Sequence, residues 1–354
     1  MKSRPLPRAT FSSVILDLVK PRATLHDNDM KRILLAVLYL SAVALATRVF
    51  PDPSTHPNSI VALQARAYPG SKITLVRQLA NGVNYRQWVA SYQSDGLKIL
   101  ALLTIPNTKA PKDGFPVIVF NHGYIPPEQY RTTEKYLAYQ AGFAKNGYVV
   151  FKPDYRGHGF SEGKPASAYT SAGYTIDVMN AISSVKTLKE ANPDRLGLWG
   201  HSMGGYLTLR ALVLGSGARA AVIWGGVVAP HLEIFKFFSS RPRAVNTQYK
   251  RYALEREKLY KTFGSPTENP AFWNALSANT FITKPIAPIQ LHHGLSDTTV
   301  PVEFSRMLAG QLKKVASLVE LYTYPRNDHN LSQSFSLAMQ RSVAFFDRYL
   351  KTQP

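Results

Sequence analysis

The hexapeptide Gly200-His201-Ser202-Met203-Gly204-Gly205 lies directly after the apolar run Leu196-Gly197-Leu198-Trp199 and directly before the helix-forming stretch 206–213. A strand that turns into a helix at Gly-x-Ser-x-Gly raises the central serine on a sharp elbow, with its hydroxyl open to a base and a substrate. Glycines belong beside it, because side chains there would run into the neighbouring strand and helix. The unit also sets a chemical requirement. A serine hydroxyl is a weak nucleophile until a histidine takes its proton and a carboxylate fixes that imidazole's tautomer.

The downstream sequence offers both groups in the order serine, acid, histidine that this elbow requires. Residues 288–293 read as a strand, and Asp297 stands in the loop that follows, Gly294-Leu-Ser-Asp-Thr-Thr-Val-Pro301. Residues 318–324 read as the next strand, and His329 follows in Pro325-Arg-Asn-Asp-His-Asn-Leu331. Taken alone, Asp297 could instead simply cap a helix beginning near Val302. Asp328 is a rival acid, but adjacent residues on an extended loop point apart. His231 follows Ser202 too closely to leave room for an acid-bearing strand, and His292 and His293 read as strand residues packed near the site.

With their surrounding strings, Ser202, Asp297 and His329 resemble the α/β-hydrolase fold and, within it, the catalytic domain of the prolyl oligopeptidase family, from about Leu97 to the C-terminus. The resemblance implies Ser202 as nucleophile, His329 as base and Asp297 as orienting acid. It also implies an oxyanion hole made by the backbone N–H groups of Met203 and Tyr124, the latter in His122-Gly123-Tyr124 after the apolar run 115–121. Asp154, Arg156 and His158, in the loop after another apolar run, become organisers of the site. Neither a cofactor nor a metal ion is required.

Helical periodicity covers 134–146, 173–188, 203–214, 302–315 and 332–350, alternating with buried apolar runs. Three extended segments, 73–78, 84–92 and 97–105, come first without a helix between them. The pattern predicts a mostly parallel, twisted sheet of about eight strands with helices on both faces. About sixty residues between Trp224 and Pro288 exceed what one helix needs. A helical cap over the catalytic edge is expected at about 228–283. Its Lys236, Arg241, Arg243, Lys250, Arg251, Arg256, Lys258 and Lys261, against Glu233, Glu255, Glu257 and Glu268, fit an acidic substrate or, more simply, a solvated helix face.

The hydrolase domain is expected over 71–354, behind a linker at 47–70 marked by Pro51, Pro53 and Pro57. Residues 1–46 read as an N-terminal extension. Within it Met30-Lys31-Arg32 precedes the apolar run 33–46, which is short for a membrane span and ends in Ala44-Leu45-Ala46. That is the pattern of a signal peptide cleaved before Thr47, or of an anchor if uncleaved, with Met30 as an alternative start. A secreted or periplasmic protein is expected. A formal charge of +20 suits association with an anionic membrane or cell-wall surface, or solubility alone. The basic residues are dispersed and accompany no binding module, which argues against nucleic acid. The absence of cysteine excludes disulfides, thiol catalysis and thiolate metal sites.

Esters and amides share this machinery. About fifty residues between a cleaved leader and the matching region are too few for the β-propeller of the large family members. A serine hydrolase of an ester or amide, carboxylesterase-like or a small hydrolase of the prolyl oligopeptidase type, is therefore expected, with a serine exo- or oligopeptidase acting on short peptides as the alternative. A binding scaffold without turnover is the alternative of another class.

Overall fold

In the computed structural model, which describes residues 30–37, 50–240 and 247–351, the extended runs join into one nine-stranded sheet. The strands are β1 Thr74–Gln78, β2 Tyr85–Ser94, β3 Leu97–Pro106, β4 Phe115–Asn121, β5 Val149–Pro153, β6 Ala191–His201, β7 Ala220–Trp224, β8 Ile289–Gly294 and β9 Val319–Tyr324. Their spatial order is β1-β2-β3-β5-β4-β6-β7-β8-β9. The three opening strands and the β3–β5 pair are antiparallel, and every pair from β5 to β9 is parallel.

Side chains alternate across this sheet with the period of two that a pleated strand imposes. Val117, Val119, Ala221 and Ile223 point into one apolar layer; Ile118, Phe120, Val222 and Trp224 point into the other. The first layer is closed by α3 Gly173–Val185, α4 Met203–Val213 and α8 Val302–Lys314, the second by α2 Leu137–Ala144 and α9 Phe335–Phe346. Helix α8 shows how the sequence dictates this. Phe304, Leu308 and Leu312 recur one turn apart on its buried stripe, while Lys313 and Lys314 stand in the last turn, where the helix dipole favours cations.

Between β7 and β8 stand α5 His231–Ser239, α6 Thr247–Phe263, α7 Pro270–Leu276 and a 3-10 turn, Ala278–Phe281. These helices hold a small core of their own, with Phe235, Phe272, Trp273 and Leu276 packed against Tyr260 and Phe263. The Trp273 indole N–H donates to the Gly264 carbonyl at 3.0 Å, so the largest ring of that core is also hydrogen-bonded.

The stretch expected as a linker is, from residue 51 onward, packed on the body. Ser59 caps α1 Ile60–Gln64 by accepting from the Ala62 N–H at 3.1 Å, and Ile60 and Leu63 are buried. The His56 ring meets Phe263 and Phe272 edge-on at 5.0 and 5.1 Å. Arg210 of α4 ties this arm to the end of α7: its guanidinium donates to Thr175 Oγ1 at 3.0 Å, to the Asn58 carbonyl at 3.2 Å, to Tyr206 Oη and to the Leu276 carbonyl. Prolines mislead here because they stop long helices without preventing tertiary burial.

The chain divides into two compact units, 1–50 and 51–354. In the first, residues 30–37 are helical and exposed. The expected cleavage site at 44–46 and the preamble 1–29 lie outside the described residues. Among the described residues no helix is long and apolar enough to cross a membrane.

Candidate active site

The parallel strands end together on one edge. Asn121 pairs with Gly200, His201 with Trp224, Trp224 with His292, and Gly294 with Tyr324. The loops after β4, β6, β8 and β9 therefore open onto the same rim, and these are the loops that carry Tyr124, Ser202, Asp297 and His329.

Strand β6 ends at His201 and α4 begins at Met203, so Ser202 alone makes the turn. Its backbone sits at φ 56, ψ −121, a conformation that costs a residue with a side chain about 1–3 kcal/mol. Three hydrogen bonds hold it there: Ser202 N donates to the Trp224 carbonyl at 3.1 Å, and its own carbonyl accepts from Gly205 and Val227, both at 3.0 Å. Gly204 is required for close approach. A Cβ at that position would lie 1.8 Å from the Asn121 carbonyl oxygen.

The Asp297 side chain is buried and divided between two tasks. Its Oδ1 accepts from the N–H groups of Thr299 at 2.7 Å and Val300 at 2.9 Å, closing a turn, while its Oδ2 lies 2.7 Å from His329 Nδ1 and 3.2 Å from His293 Nε2. Burial pushes this carboxyl up, but the hydrogen bonds from His293 and His329 outweigh it and hold the group below the usual carboxylate range. Helix α8 has Pro301 at its N-cap with no side-chain cap bond, so Asp297 serves the loop rather than the helix. The rival acid points elsewhere: Asp328 accepts from the Ser332 N–H and hydroxyl, both at 2.8 Å, and from the Asn330 N–H at 3.2 Å.

The two strand histidines are buried, as their position suggested. His292 lies 2.7 Å from both Gln290 Oε1 and Tyr324 Oη, and burial, then the Arg341 charge, pushes it down to about 3. His293 does more than pack. Its Nδ1 takes the Ser305 hydroxyl at 2.8 Å, which leaves its proton on Nε2, facing the Val300 carbonyl at 3.0 Å and Asp297. It is a second donor to the acid, which the sequence reading missed.

On the opposite side of the elbow, His122 is stacked between Tyr155 and Tyr130 at 4.2 and 4.6 Å, with its ring nitrogens on the carbonyls of Gly123 and Asp154. Asp154 is buried and accepts from Tyr130 and Thr132; burial raises it to about 6 against those bonds and the Lys152 charge. The Arg156 side chain grips both oxygens of Asp177, and burial lowers His158 to about 4. Asp154 and His158 adjoin the His122 ring, whereas Arg156 is held by Asp177 and Asp95. Met203 is buried as the first residue of α4, where an N–H has no carbonyl one turn back in the helix. Tyr124 follows Gly123, where an added Cβ would lie 3.1 Å from Ser202 Cβ. Both expected oxyanion donors thus flank the elbow.

Two side chains at the centre of the site carried no assignment from sequence. Tyr136 Oη lies 2.7 Å from His201 Nδ1 and 3.0 Å from the Gly123 nitrogen, and His201 Nε2 lies 3.0 Å from the His329 carbonyl. The one available signal was that His201 immediately precedes the nucleophile candidate. Among the described residues no group of three or more His, Cys, Asp or Glu is arranged to hold a metal ion.

The profile of the prolyl oligopeptidase family matches residues 135–353, well over half of the chain and all of its elbow, acid and histidine loops. The chain belongs to the prolyl oligopeptidase family. Within that family's reach, it is 27% identical over 248 residues to the uncharacterized peptidase YtmA of Bacillus subtilis, a match covering 69% of this chain and 86% of that protein. It is 26% identical over 244 residues to the probable dipeptidyl-aminopeptidase B of Aspergillus oryzae, covering 67% of this chain but 25% of that one. Among solved structures, the acetyl xylan esterase from Paenibacillus sp. R4 superposes with a TM-score of 0.60 at 18% identity, over 82% of this chain and 92% of the esterase. The Pyrococcus horikoshii acylaminoacyl peptidase gives 0.59 at 24% identity, over 77% of this chain and 42% of the peptidase. The fold is that of the α/β-hydrolases, and this prolyl oligopeptidase family member is a serine hydrolase.

Proposed function

We propose that the protein hydrolyses small carboxylic esters through an acyl-enzyme on Ser202. His329, oriented by Asp297 through Nδ1, takes the Ser202 proton on Nε2 as the hydroxyl oxygen attacks the ester carbonyl carbon. The carbonyl electrons move to oxygen, and the N–H groups of Met203 and Tyr124 receive that charge; one such donor is worth about 10²–10³ in kcat. The carbon–oxygen bond to the leaving group then breaks, and the departing alcohol takes the proton from His329. Water, deprotonated by the same nitrogen, attacks the acyl carbon and regenerates Ser202.

The observation that carries this reading is the 2.7 Å contact between His329 Nδ1 and Asp297 Oδ2, on the same rim as a serine held at a strained elbow. Extent supports a lone hydrolase domain: the chain spans 92% of the esterase neighbour, 86% of the peptidase-named relative YtmA and 42% of the acylaminoacyl peptidase neighbour, and the esterase neighbour carries the preference for esters. A second reading, cleavage of short peptides, is favoured by the peptidase names of its relatives. A panel of p-nitrophenyl acyl esters beside aminoacyl and peptidyl anilides decides between them, with Ser202→Ala as control. Ester hydrolysis should dominate and vanish in Ser202→Ala. Comparable anilide rates transfer the assignment to a peptidase, and failure of a fluorophosphonate to label the wild type transfers it to a binding scaffold.

We also read residues 33–46 as an export signal. N-terminal sequencing of the exported chain should begin near Thr47, and an intact 33–46 segment would make it an anchor.

A further inference from the structure

We infer that Tyr136 and His201 form a positioning chain that fastens the oxyanion loop and the His329 loop to the two sides of the elbow. The inference rests on the proposed hydrolase reading.

The direction of each bond follows from what its partners can do. The Gly123 N–H is a donor only, so at 3.0 Å it donates to Tyr136 Oη. The Tyr136 hydroxyl proton is then directed to His201 Nδ1, 2.7 Å away, which must accept. An imidazole that accepts at Nδ1 carries its proton on Nε2, and Nε2 faces the His329 carbonyl, an acceptor only, at 3.0 Å. Each group is used once and in one sense, so the chain has one tautomer and one direction, from the oxyanion loop to the histidine loop. Its two ends are the residue before Tyr124 and the backbone of His329 itself. Its middle is the residue before Ser202.

The surroundings preserve that arrangement. His201 is 2% exposed, and its ring lies 4.6 Å from the His329 ring. Burial, and then the neighbouring His329 charge, push His201 down to about 3, so it stays neutral wherever an ester hydrolase is assayed. Tyr136 has φ 64 at the N-cap of α2. A tyrosine persists in that left-handed conformation only where the surrounding structure over-determines it, and such strain gathers at functional sites. Here the strain aims the phenol between Gly123 and His201, and edge contact with Phe120 at 5.7 Å steadies the ring. Neither side chain transfers a proton in the reaction. Their role is to set two loops whose displacement by about 1 Å costs on the order of 10²-fold in rate.

The test is a double-mutant cycle with Tyr136→Phe, His201→Leu and the double variant, read by kcat and KM on a p-nitrophenyl ester, by the fluorophosphonate inactivation rate and by Tm. Each single variant should lose about 10–100-fold in kcat with KM nearly unchanged, slow inactivation in proportion and keep Tm within a few degrees. The double variant should be no slower than the worse single, since both cut one chain. Single variants with wild-type kcat, losses confined to KM, or losses that multiply in the double would overturn the chain. Histidine-selective ¹⁵N spectra provide a readout independent of turnover: His201 should show a slowly exchanging Nε2–H and a neutral Nδ1 that shifts in Tyr136→Phe. A wild type that keeps this signature but turns over neither esters nor anilides refutes the hydrolase reading and upholds the chain. Normal turnover without the signature overturns the chain alone.

Discussion

Replacing Asp297 with asparagine should invert the tautomer of His329, and the structure fixes which way the new amide must face. Oδ1 of Asp297 receives two backbone N–H groups, at 2.7 and 2.9 Å. An NH₂ there would face two donors, so the asparagine oxygen keeps that place and the NH₂ turns to His329 Nδ1. That nitrogen must then accept, its proton moves to Nε2, and Ser202 meets a donor where it needs a base. The same inversion in another Ser-His-Asp enzyme costs about 10⁴-fold in kcat, or about 5.4 kcal/mol at 1.36 kcal/mol per tenfold. Stability should fall far less. His293 keeps its Val300 carbonyl at 3.0 Å, and losing one charge-assisted bond costs about 1.5–3 kcal/mol. Because the folded-state carboxyl is held below its ordinary 3.8, its stabilisation is complete above that value and lost as pH falls through the depressed one. The stability gap between wild type and Asp297→Asn should therefore close only in strong acid. Steady-state ester hydrolysis at neutral pH, with Ser202→Ala as the zero, measures the rate effect. An Asp297→Asn enzyme within tenfold of wild type would refute the assignment of Asp297 as the orienting acid.

Gly225→Ala should both strain the backbone and push on His329, because φ is 51 and the new Cβ would lie 3.0 Å from the His329 Nδ1 position. We expect about 1–3 kcal/mol of destabilisation with a clear drop in kcat, checked by thermal melts beside kinetics. Asp328→Ala should lose only its turn bonds to Asn330 and Ser332, about 1 kcal/mol, and keep kcat within a few-fold; a collapse in kcat would restore it as the acid. Acid should unfold the protein readily. Burial lowers His122, His158, His201, His231 and His292 from an ordinary 6.5, so the unfolded chain binds the extra protons. Stability should therefore fall as pH drops below about 6.5, by up to about 1.4 kcal/mol per pH unit for each histidine. Asp154, raised to about 6, acts in the opposite sense between about 4 and 6. A Tm that does not change between pH 7 and 5 would contradict this balance.

The sequence made the elbow, the acid loop and the histidine loop legible because each is local: a strand, a turn and a residue type within ten positions. Parallel pairing then brings them to one rim, and strand alternation with helices predicts that pairing. Tyr136 and His201 were not legible in the same way. They are 65 residues apart and meet only because α2 and the end of β6 share a side of the sheet. A tyrosine at left-handed φ has no marker in its neighbours. Residues 51–64 misled for another reason. A five-residue helix has little intrinsic stability, and Ile60–Gln64 forms because Ile60 and Leu63 find a buried surface that belongs to distant parts of the chain.

Arg210 makes that arm inseparable from the enzyme body. Its buried cation is satisfied by hydroxyls and carbonyls drawn from four segments, one of them the carbonyl of Asn58. Leaving a buried charge short of an acceptor is among the costlier single losses a fold can suffer. Trimming the chain beyond residue 58 would thus unseat the end of α7 at Leu276 as well as the arm, although neither carries a proposed catalytic group. The proposed processing before Thr47 would leave eleven residues ahead of Asn58 and spare the joint. Only a cut beyond Asn58, at least twelve residues further along, would remove the carbonyl that Arg210 uses.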